Sequence, residues 1–292
     1  MSKPTIVVAT DLTVDSAPAA HWTRRLATAR GARVVVAHVV ELDMAEWMAA
    51  RLRIQVGEGE LEAAAGLAEA WYREHTACAP DAVDVRVGPC HAVLADVVAD
   101  EKADLLVMSK SVKGAVTSVF VGSRVLHVAS RPPCTLVVVH PEHDEPAEAG
   151  PVVVGTDFSV AARAAEDFAA GHAEHLGAPL EVVHAVRPPR LPALGIEDPV
   201  ALEEALRWAR DAVTEDFGRL RADWPNVDLD TRVVGGTPSE VLLEEARRRA
   251  PRLLVVGQTG FGLKLAELLG STARKVVKQA PCTVAVVPPA KG

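Results

Sequence analysis

Aromatic side chains are scarce in this chain: Phe, Trp and Tyr make up 4% of its 292 residues, whereas hydrophobic residues make up 49%. Ala, Val and Leu supply most of the apolar content, which is typical of helices packed on a buried parallel sheet. No apolar run is long enough to span a bilayer, and no basic-plus-apolar leader precedes the first apolar segment. We therefore expect a cytoplasmic protein without a membrane partner.

Positive charge and paired cysteines are also scarce. Lys and Arg number 31 against 39 Asp and Glu, and a net charge of −8 argues against non-specific binding to nucleic acid. The four cysteines include no C-x-x-C pair of the metal-binding kind. Cys90 precedes His91 directly, and side chains of sequence neighbours usually diverge, so we interpret Cys90 as structural. The sequence predicts no catalytic residue and no metal site.

Several nucleotide motifs are missing. The chain contains no G-x-x-x-x-G-K-[ST] run, which excludes a P-loop NTPase at the motif level. It lacks the two-glycine turn followed by Asp that dinucleotide binding requires. The pyrophosphatase S-G-G-x-D-S loop and the nucleotidyl-transfer H-x-G-H signature are also missing, and no cluster of carboxylates indicates a tight Mg²⁺ site. These absences argue against a fast catalyst.

The chain is instead a tandem repeat. VMSKSVKGAVTSVFVGSRVLHVASRPPCTLVVV, ending at Val139, aligns without a gap with VVGQTGFGLKLAELLGSTARKVVKQAPCTVAVV, ending at Val287. IVVATDLT (Ile6–Thr13) likewise pairs with VVVGTDFS (Val152–Ser159). Repeats of this length are domains, not solenoid units. We predict a first domain over residues 1–140, an acidic Pro/Ala-rich linker over 141–150, and a second domain over 151–292.

Each half alternates short apolar strands with helical segments, which predicts an α/β fold with parallel strands and helices on both faces. The predicted strands are Thr5–Ala9, Arg33–Val39, Val83–Val87, Leu105–Met108, Thr135–Val139, Val152–Gly155, Leu180–Ala185, Asp228–Val234, Leu253–Val256 and Thr283–Val287. The predicted helices are Ser16–Arg30, Gly59–Thr76, Ala92–Asp100, Ser123–Ser130, Val160–His175, Val200–Ala222, Pro238–Arg249 and Ser271–Gln279. Right-handed crossovers then give two tandem doubly wound domains, each an open five-stranded parallel sheet. An amphipathic stretch, Met44–Val56, has no counterpart of similar length in the second half.

A glycine signature follows the strand that ends at Val256: GQTGFGLKLAELLGS, with Gly257, Gly260, Gly270 and Ser271. Glycine turns let backbone amides approach a ligand, and a helix start after Gly270 would present N–H groups to a phosphate. The spacing G-x2-G-x9-G-[ST] after a strand resembles the nucleotide loop of the universal stress protein family.

The resemblance implies the strand order 3-2-1-4-5 in each half and a ligand at the carboxyl ends of the strands, where that order reverses. It implies ATP as the ligand, with Mg²⁺ left open. Asp157 would contact the ribose or adenine, and Ala185 would offer backbone groups to the adenine edge. Gly257 and Gly260 would line the phosphate path, and Gly270 with Ser271 would hold the phosphates. The complete set implied for the second half is Thr156, Asp157, Ala185, Gly257, Gly260, Gly262, Gly270, Ser271 and Thr272.

Two alternatives stay open at these positions. An Asp that ends a strand before a helix is commonly a cap or an Asx turn, although Ser159 is better placed to cap the helix that follows Asp157. In the first half, Lys110, Lys113 and Arg124 would either attract an anion or belong to a solvated loop.

The first half keeps a weaker version of the signature, at Asp11, Val39, Gly122 and Ser123. It departs from the signature where Ser109 replaces Gly257 and Val112 replaces Gly260. The β-branched side chain of Val112 would block the close approach of the backbone to a phosphate. We expect nucleotide binding to be weakened or lost in the first half. Gly114, the counterpart of Gly262, leaves a remodelled site as the alternative.

Function and assembly follow from the same resemblance. The leading hypothesis is an ATP-binding regulatory protein of the stress response, acting on an unidentified protein partner. The alternatives are a slow ATPase or autophosphorylating enzyme, with Ser271 or a neighbouring hydroxyl as acceptor, and a scaffold that binds no nucleotide. Relatives pair their last strands, so we expect Thr135–Val139 and Thr283–Val287 to meet within one chain as a pseudo-dimer. Association of two chains is left open, with Met44–Val56 and Leu191–Val200 as candidate contact surfaces.

Overall fold

The computed structural model describes residues 3–41, 58–110, 122–141, 150–187, 199–260 and 269–290. The chain divides into two compact units, Met1–Asp144 and Glu145–Gly292. Met44–Val56, most of the predicted linker and Leu191–Asp198 lie outside the described residues. Every helix in the described ranges is too short or too polar to cross a membrane.

The first domain contains five parallel strands in the order β3-β2-β1-β4-β5. The strands are β1 (Thr5–Thr10), β2 (Arg33–Val40), β3 (Ala82–Val87), β4 (Leu105–Ser109) and β5 (Thr135–Val139). The helices are α1 (Ala17–Arg30), α2 (Glu58–Thr76), α3 (Cys90–Asp100) and α4 (Ser123–Ser130). Helices α1 and α2 pack together, as do α3 and α4, and these two pairs cover opposite faces of the sheet.

The second domain repeats this order as β8-β7-β6-β9-β10, again with parallel neighbours. The strands are β6 (Val152–Thr156), β7 (Leu180–Val186), β8 (Leu229–Gly235), β9 (Leu253–Gly257) and β10 (Val284–Val287). The helices are α5 (Val160–Leu176), α6 (Pro199–Asp223), α7 (Pro238–Arg249) and α8 (Ser271–Gln279). The fold class and the strand order 3-2-1-4-5 are thereby confirmed for both domains.

The cores lie where the sequence is most apolar. Val7 and Val8 in β1 and Val152–Val154 in β6 are fully buried, because each central strand carries helices on both faces. In α8, the buried residues Ala273, Val276 and Val277 recur at a spacing of three and one, so one helix stripe faces the sheet. This packing holds the first turn of α8 at the carboxyl end of β9.

Five of the eight described α-helices differ from the predicted bounds by one or two residues, and two of these differences lie at helix starts next to a proline. The first helix begins at Ala17, after a 3₁₀ turn over Val14–Ser16, with Pro18 in its first turn. Proline suits this position because the N–H that it lacks has no partner within the helix there. Helix α3 begins at Cys90, two residues before the predicted start, with Pro89 in extended conformation as its N-cap.

Candidate functional site

A cavity of about 410 Å³ opens at the carboxyl ends of β6 and β9 in the second domain. Its volume lies in the range typical of small-molecule sites. Eight of the predicted site residues line it: Thr156, Asp157, Ala185, Gly257, Gly260, Gly270, Ser271 and Thr272. Gly262, the ninth, lies outside the described residues. The segments that follow β6 and β9 are far apart in sequence, yet both line this cavity because β6 and β9 are adjacent parallel strands.

The turn after β6 is held in a strained conformation. Phe158 has φ 60°, in the left-handed region that L-residues rarely adopt. Its amide donates to the Thr156 hydroxyl (3.1 Å), and the Ser159 amide donates to Asp157 Oδ1 (3.1 Å). A left-handed non-glycine residue costs about 1–3 kcal/mol. The turn persists because these two hydrogen bonds fix it, and it recurs in the first domain at Leu12, with φ 63°.

Ser159 caps helix α5, as the sequence indicated. Its hydroxyl accepts a hydrogen bond from the amide of Ala162 (3.2 Å). Asp157 forms the Asx turn that the sequence left open, through its bond from the Ser159 amide. The carboxylate also lines the cavity, so a structural and a binding role are compatible at this residue.

Gly260 lies against the carboxylate of Asp157. A Cβ added at Gly260 would lie 2.4 Å from Asp157 Oδ2, well inside van der Waals contact. A side chain at this position would therefore displace the carboxylate.

Gly257 permits a different close approach. A Cβ there would lie 3.0 Å from both the carbonyl carbon and oxygen of Ala161, in the first turn of α5. Helix packing therefore accounts for this glycine in addition to its place on the cavity wall.

The first turn of α8 supplies the positive end of a helix to the cavity. Gly270 is the N-cap, its amide donates to the Gln258 carbonyl (2.8 Å), and its carbonyl accepts from the Arg274 amide (2.9 Å). Ser271, Thr272 and Ala273 follow and line the cavity. Amides at the start of a helix have no partner within it, and together with the helix dipole they favour an anion.

Two histidines at equivalent places orient the strand ends. His184 Nδ1 lies 2.9 Å from the Thr156 carbonyl oxygen, and His38 Nδ1 lies 3.0 Å from that of Thr10. A carbonyl oxygen only accepts, so Nδ1 carries the hydrogen in both. The His184 ring also packs against Phe158, with ring centroids 4.7 Å apart. Both histidines therefore hold the residue that ends the first strand of their sheet, and His184 does so from outside the set of residues that line the cavity.

Sequence reasoning missed several residues of the cavity wall. Arg187 lies just beyond β7, and Pro238 and Leu242 belong to the start of α7. Gly155 also lines the cavity, and a Cβ there would lie 2.6 Å from Leu242 Cδ1. The repeat carried a signal for Arg187, because its counterpart after the first domain's β2 is the oppositely charged Glu41.

The aspartate of the first domain is engaged by its own turn. Asp11 Oδ1 accepts hydrogen bonds from the Thr13 amide (3.1 Å), the Thr13 hydroxyl (2.6 Å) and the Ser16 hydroxyl (2.7 Å). Burial acts to raise the pKa of Asp11, but the bonds from Thr13 and Ser16 prevail and lower it. In the second domain, Ala162 replaces Ser16 and has no hydroxyl to offer to Asp157.

Ser109, the counterpart of Gly257, is bonded to the start of helix α1. Its hydroxyl accepts from the Ala19 amide (3.0 Å) and lies 3.3 Å from the Ser16 carbonyl oxygen, to which it donates. The serine therefore satisfies a helix-terminal amide that has no intrahelical partner.

Other first-domain residues surround the same strand ends. Lys110 is buried rather than part of a solvated loop, whereas Val112, Lys113 and Gly114 lie outside the described residues. Gly122 is the N-cap of α4, and Ser123 is its first residue. Arg124 pairs with Glu41, and Val39 lies two residues before Glu41, in β2.

Burial and the nearby Glu41 raise the pKa of the Cys90 thiol to about 11, while Arg124 opposes them. Cys90 therefore stays protonated at neutral pH and is a poor nucleophile.

The sequence profile of the universal stress protein family matches residues 4–140 and 149–288. The chain belongs to this family. A universal stress protein of Mycolicibacterium smegmatis is 28% identical over 295 residues, covering 97% of either chain. The structure of a universal stress protein from Archaeoglobus fulgidus shares the fold, with a TM-score of 0.63 at 18% identity over 99% of this chain and 100% of that one. A universal stress protein solved in complex with cAMP is 29% identical over 49% of this chain and 99% of its own, with a TM-score of 0.34.

Proposed function

We propose that this universal stress protein is an ATP-binding regulatory protein of the cytoplasm, with the nucleotide held by its second domain. The observation that carries the proposal is the convergence of Asp157, the Gly257–Gly260 turn and the start of α8 on one cavity. A carboxylate and backbone groups suit a nucleoside, while helix-terminal amides suit phosphates. The nucleotide would regulate association with a partner through different affinities for two states of the protein.

In this proposal, each part of the cavity wall contacts a different part of the nucleotide. Asp157 contacts the ribose or adenine, and the backbone of Ala185 contacts the adenine edge. The Gly257–Gly260 turn and the first turn of α8, Ser271 and Thr272 included, hold the phosphates. Mg²⁺ would bind through the phosphates, and titrations with and without it decide whether it takes part.

Calorimetric titration of ATP into the wild type and Gly260→Val tests the proposal. The added side chain would push Asp157 aside, since even a Cβ would lie 2.4 Å from its Oδ2. We expect one site per chain in the wild type and loss of that site in Gly260→Val. Gly218→Val is the matched control, because a Cβ at Gly218 meets no atom within 4 Å and Gly218 lies in α6, away from the cavity.

The other outcomes distinguish the remaining functions. Two sites per chain would show that Ser109 and Val112 are tolerated and that the first domain also binds. No binding of ATP or cAMP by a folded wild type would contradict the proposal and leave the scaffold. Phosphate release above background, or a phosphate covalently attached to Ser271, would make the protein an enzyme.

A further inference from the structure

The residue that follows the second strand of each domain has opposite charge in the two halves. His38 is opposite Thr10 in the first sheet, and His184 is opposite Thr156 in the second, so the two strands are in the same register. Three residues beyond these histidines come Glu41 and Arg187. They therefore occupy equivalent positions at the carboxyl edge of each sheet.

In the second domain this position contributes a cation to the cavity. Arg187 is exposed and lines the cavity together with Thr272, from the first turn of α8, and Pro238, from the first turn of α7. A guanidinium near a helix N-terminus adds to a field that already favours an anion.

In the first domain the same position carries a carboxylate that is already paired. Glu41 forms an ion pair with Arg124, the second residue of α4. The counterpart of Arg124 is Thr272, which lines the second-domain cavity. The pair therefore bridges the two elements whose counterparts form that cavity.

The surroundings of Cys90 show that these first-domain residues are equivalent to the residues around the second-domain cavity. Cys90 begins α3 as Pro238 begins α7, and Gly88 and Gly236, two residues earlier, share φ angles of 147° and 149°. The charges that act on the Cys90 thiol are those of Glu41, Arg124 and Asp11. Their counterparts Arg187, Thr272 and Asp157 surround the second-domain cavity.

We infer that the charge of this residue selects which domain accepts a phosphate-bearing ligand. Arg187 attracts the phosphates to the second domain, whereas Glu41 neutralises Arg124 and repels phosphates from the first. This inference rests on the proposed function, since it assumes that the second-domain cavity takes a nucleotide.

Titrations of ATP and of uncharged adenosine into Arg187→Glu, Arg187→Met and Arg247→Glu test the second-domain half. Arg247→Glu is the matched control, with the same charge change at an exposed position on α7 outside the cavity. We expect Arg187→Glu to weaken ATP binding about tenfold or more and Arg187→Met to fall between it and the wild type. Adenosine affinity should change less than about twofold, because it carries no phosphate, and Arg247→Glu should bind ATP as the wild type does within about twofold.

Each contrary result has a separate meaning. Unchanged ATP affinity in Arg187→Glu, with a wild type that binds, would overturn the inference and leave the proposed function intact. Equal losses for ATP and adenosine would also overturn it, because shape and not charge would then be responsible. A wild type that binds no ATP would overturn the proposed function and, with it, this inference.

Glu41→Gln in the Gly260→Val background tests the first-domain half, because the second-domain site is then removed. We expect weak ATP binding to appear in the double variant, whereas Gly260→Val alone shows none, since Arg124 becomes available to phosphate. Unchanged binding would overturn the role assigned to Glu41.

Discussion

At the scale of single residues, equivalent positions have diverged in what surrounds them. Asp11 accepts hydrogen bonds from the hydroxyls of Thr13 and Ser16, which lower its pKa against the effect of burial. Around Asp157, Ala162 replaces Ser16, and the Ser159 hydroxyl caps α5. The same aspartate thus serves mainly its own turn in the first domain and lines a cavity in the second.

Glu166 gives the second domain a pH-dependent stability. Burial raises the pKa of Glu166 to about 7. A hydrogen bond from the Thr156 hydroxyl opposes this rise, and so does, to a smaller extent, the Arg219 guanidinium, whose Nη2 lies 3.2 Å from Glu166 Oε2. Glutamate in an unfolded chain has a pKa of about 4.3, so the folded state holds the proton more tightly. As pH rises from about 4.3 through about 7, this group therefore makes folding progressively less favourable.

We predict that Glu166→Gln raises the free energy of unfolding at pH 8, by an amount on the order of 3–4 kcal/mol, and changes it little at pH 4. The neutral amide replaces a carboxylate that is costly to ionise when buried. Urea denaturation across this pH range measures the difference. Glu174→Gln, at an exposed site on the same helix, is the control for the loss of one negative charge. A Glu166→Gln variant less stable than the wild type at pH 8 would mean that the Arg219 pair outweighs burial.

At the scale of secondary structure, the start of α5 links the turn after β6 to the helix. The Ser159 hydroxyl accepts from the Ala162 amide (3.2 Å), whereas Thr237, the N-cap of α7, makes no side-chain capping bond within the described part of the chain. The two helices therefore offer a comparison between a capping and a non-capping N-cap residue.

Ser159→Ala should lower the free energy of unfolding by about 1 kcal/mol, because a helix-terminal amide loses its acceptor. Thr237→Ala should lower it by less than about 0.5 kcal/mol. Urea denaturation of both variants at one pH provides the test. Equal losses would show that the Ser159 hydroxyl does not stabilise α5 through capping.

Sequence periodicity predicted elements well where burial dictates them. Strands such as Thr135–Val139 and helices such as Pro238–Arg249 have the predicted bounds, because apolar runs and a proline at the helix start mark them. The start of α3 at Cys90 was missed, since Pro89 caps it from an extended conformation that composition does not reveal. Eight residues that the family resemblance implied line the cavity, and their contacts with a nucleotide stay predictions. Arg187 was missed because a cation after a strand has no motif, and its contrast with Glu41 in the repeat indicates a site only once the cavity beside it is known.

At the scale of the whole molecule, a duplicated domain has kept its topology while its two sites diverged. Both sheets share the order 3-2-1-4-5, the left-handed turn after the first strand and the histidine that supports it. The differences concentrate at the carboxyl edge, in Ser109 and Glu41 of the first domain against Gly257 and Arg187 of the second. Pairing of the last strands within one chain, and association of two chains, stay predictions.

We predict that the second domain holds the nucleotide and that the first domain does not. Hydrogen exchange of the full chain with and without ATP tests this most directly, because it locates the bound region. We predict slower exchange at Asp157–Ser159 and at Gly270–Ala273, with no change at Asp11–Thr13 and Gly122–Arg124. Protection of the first-domain segments, or of none of the four segments at saturating ATP, would contradict binding by the second domain alone.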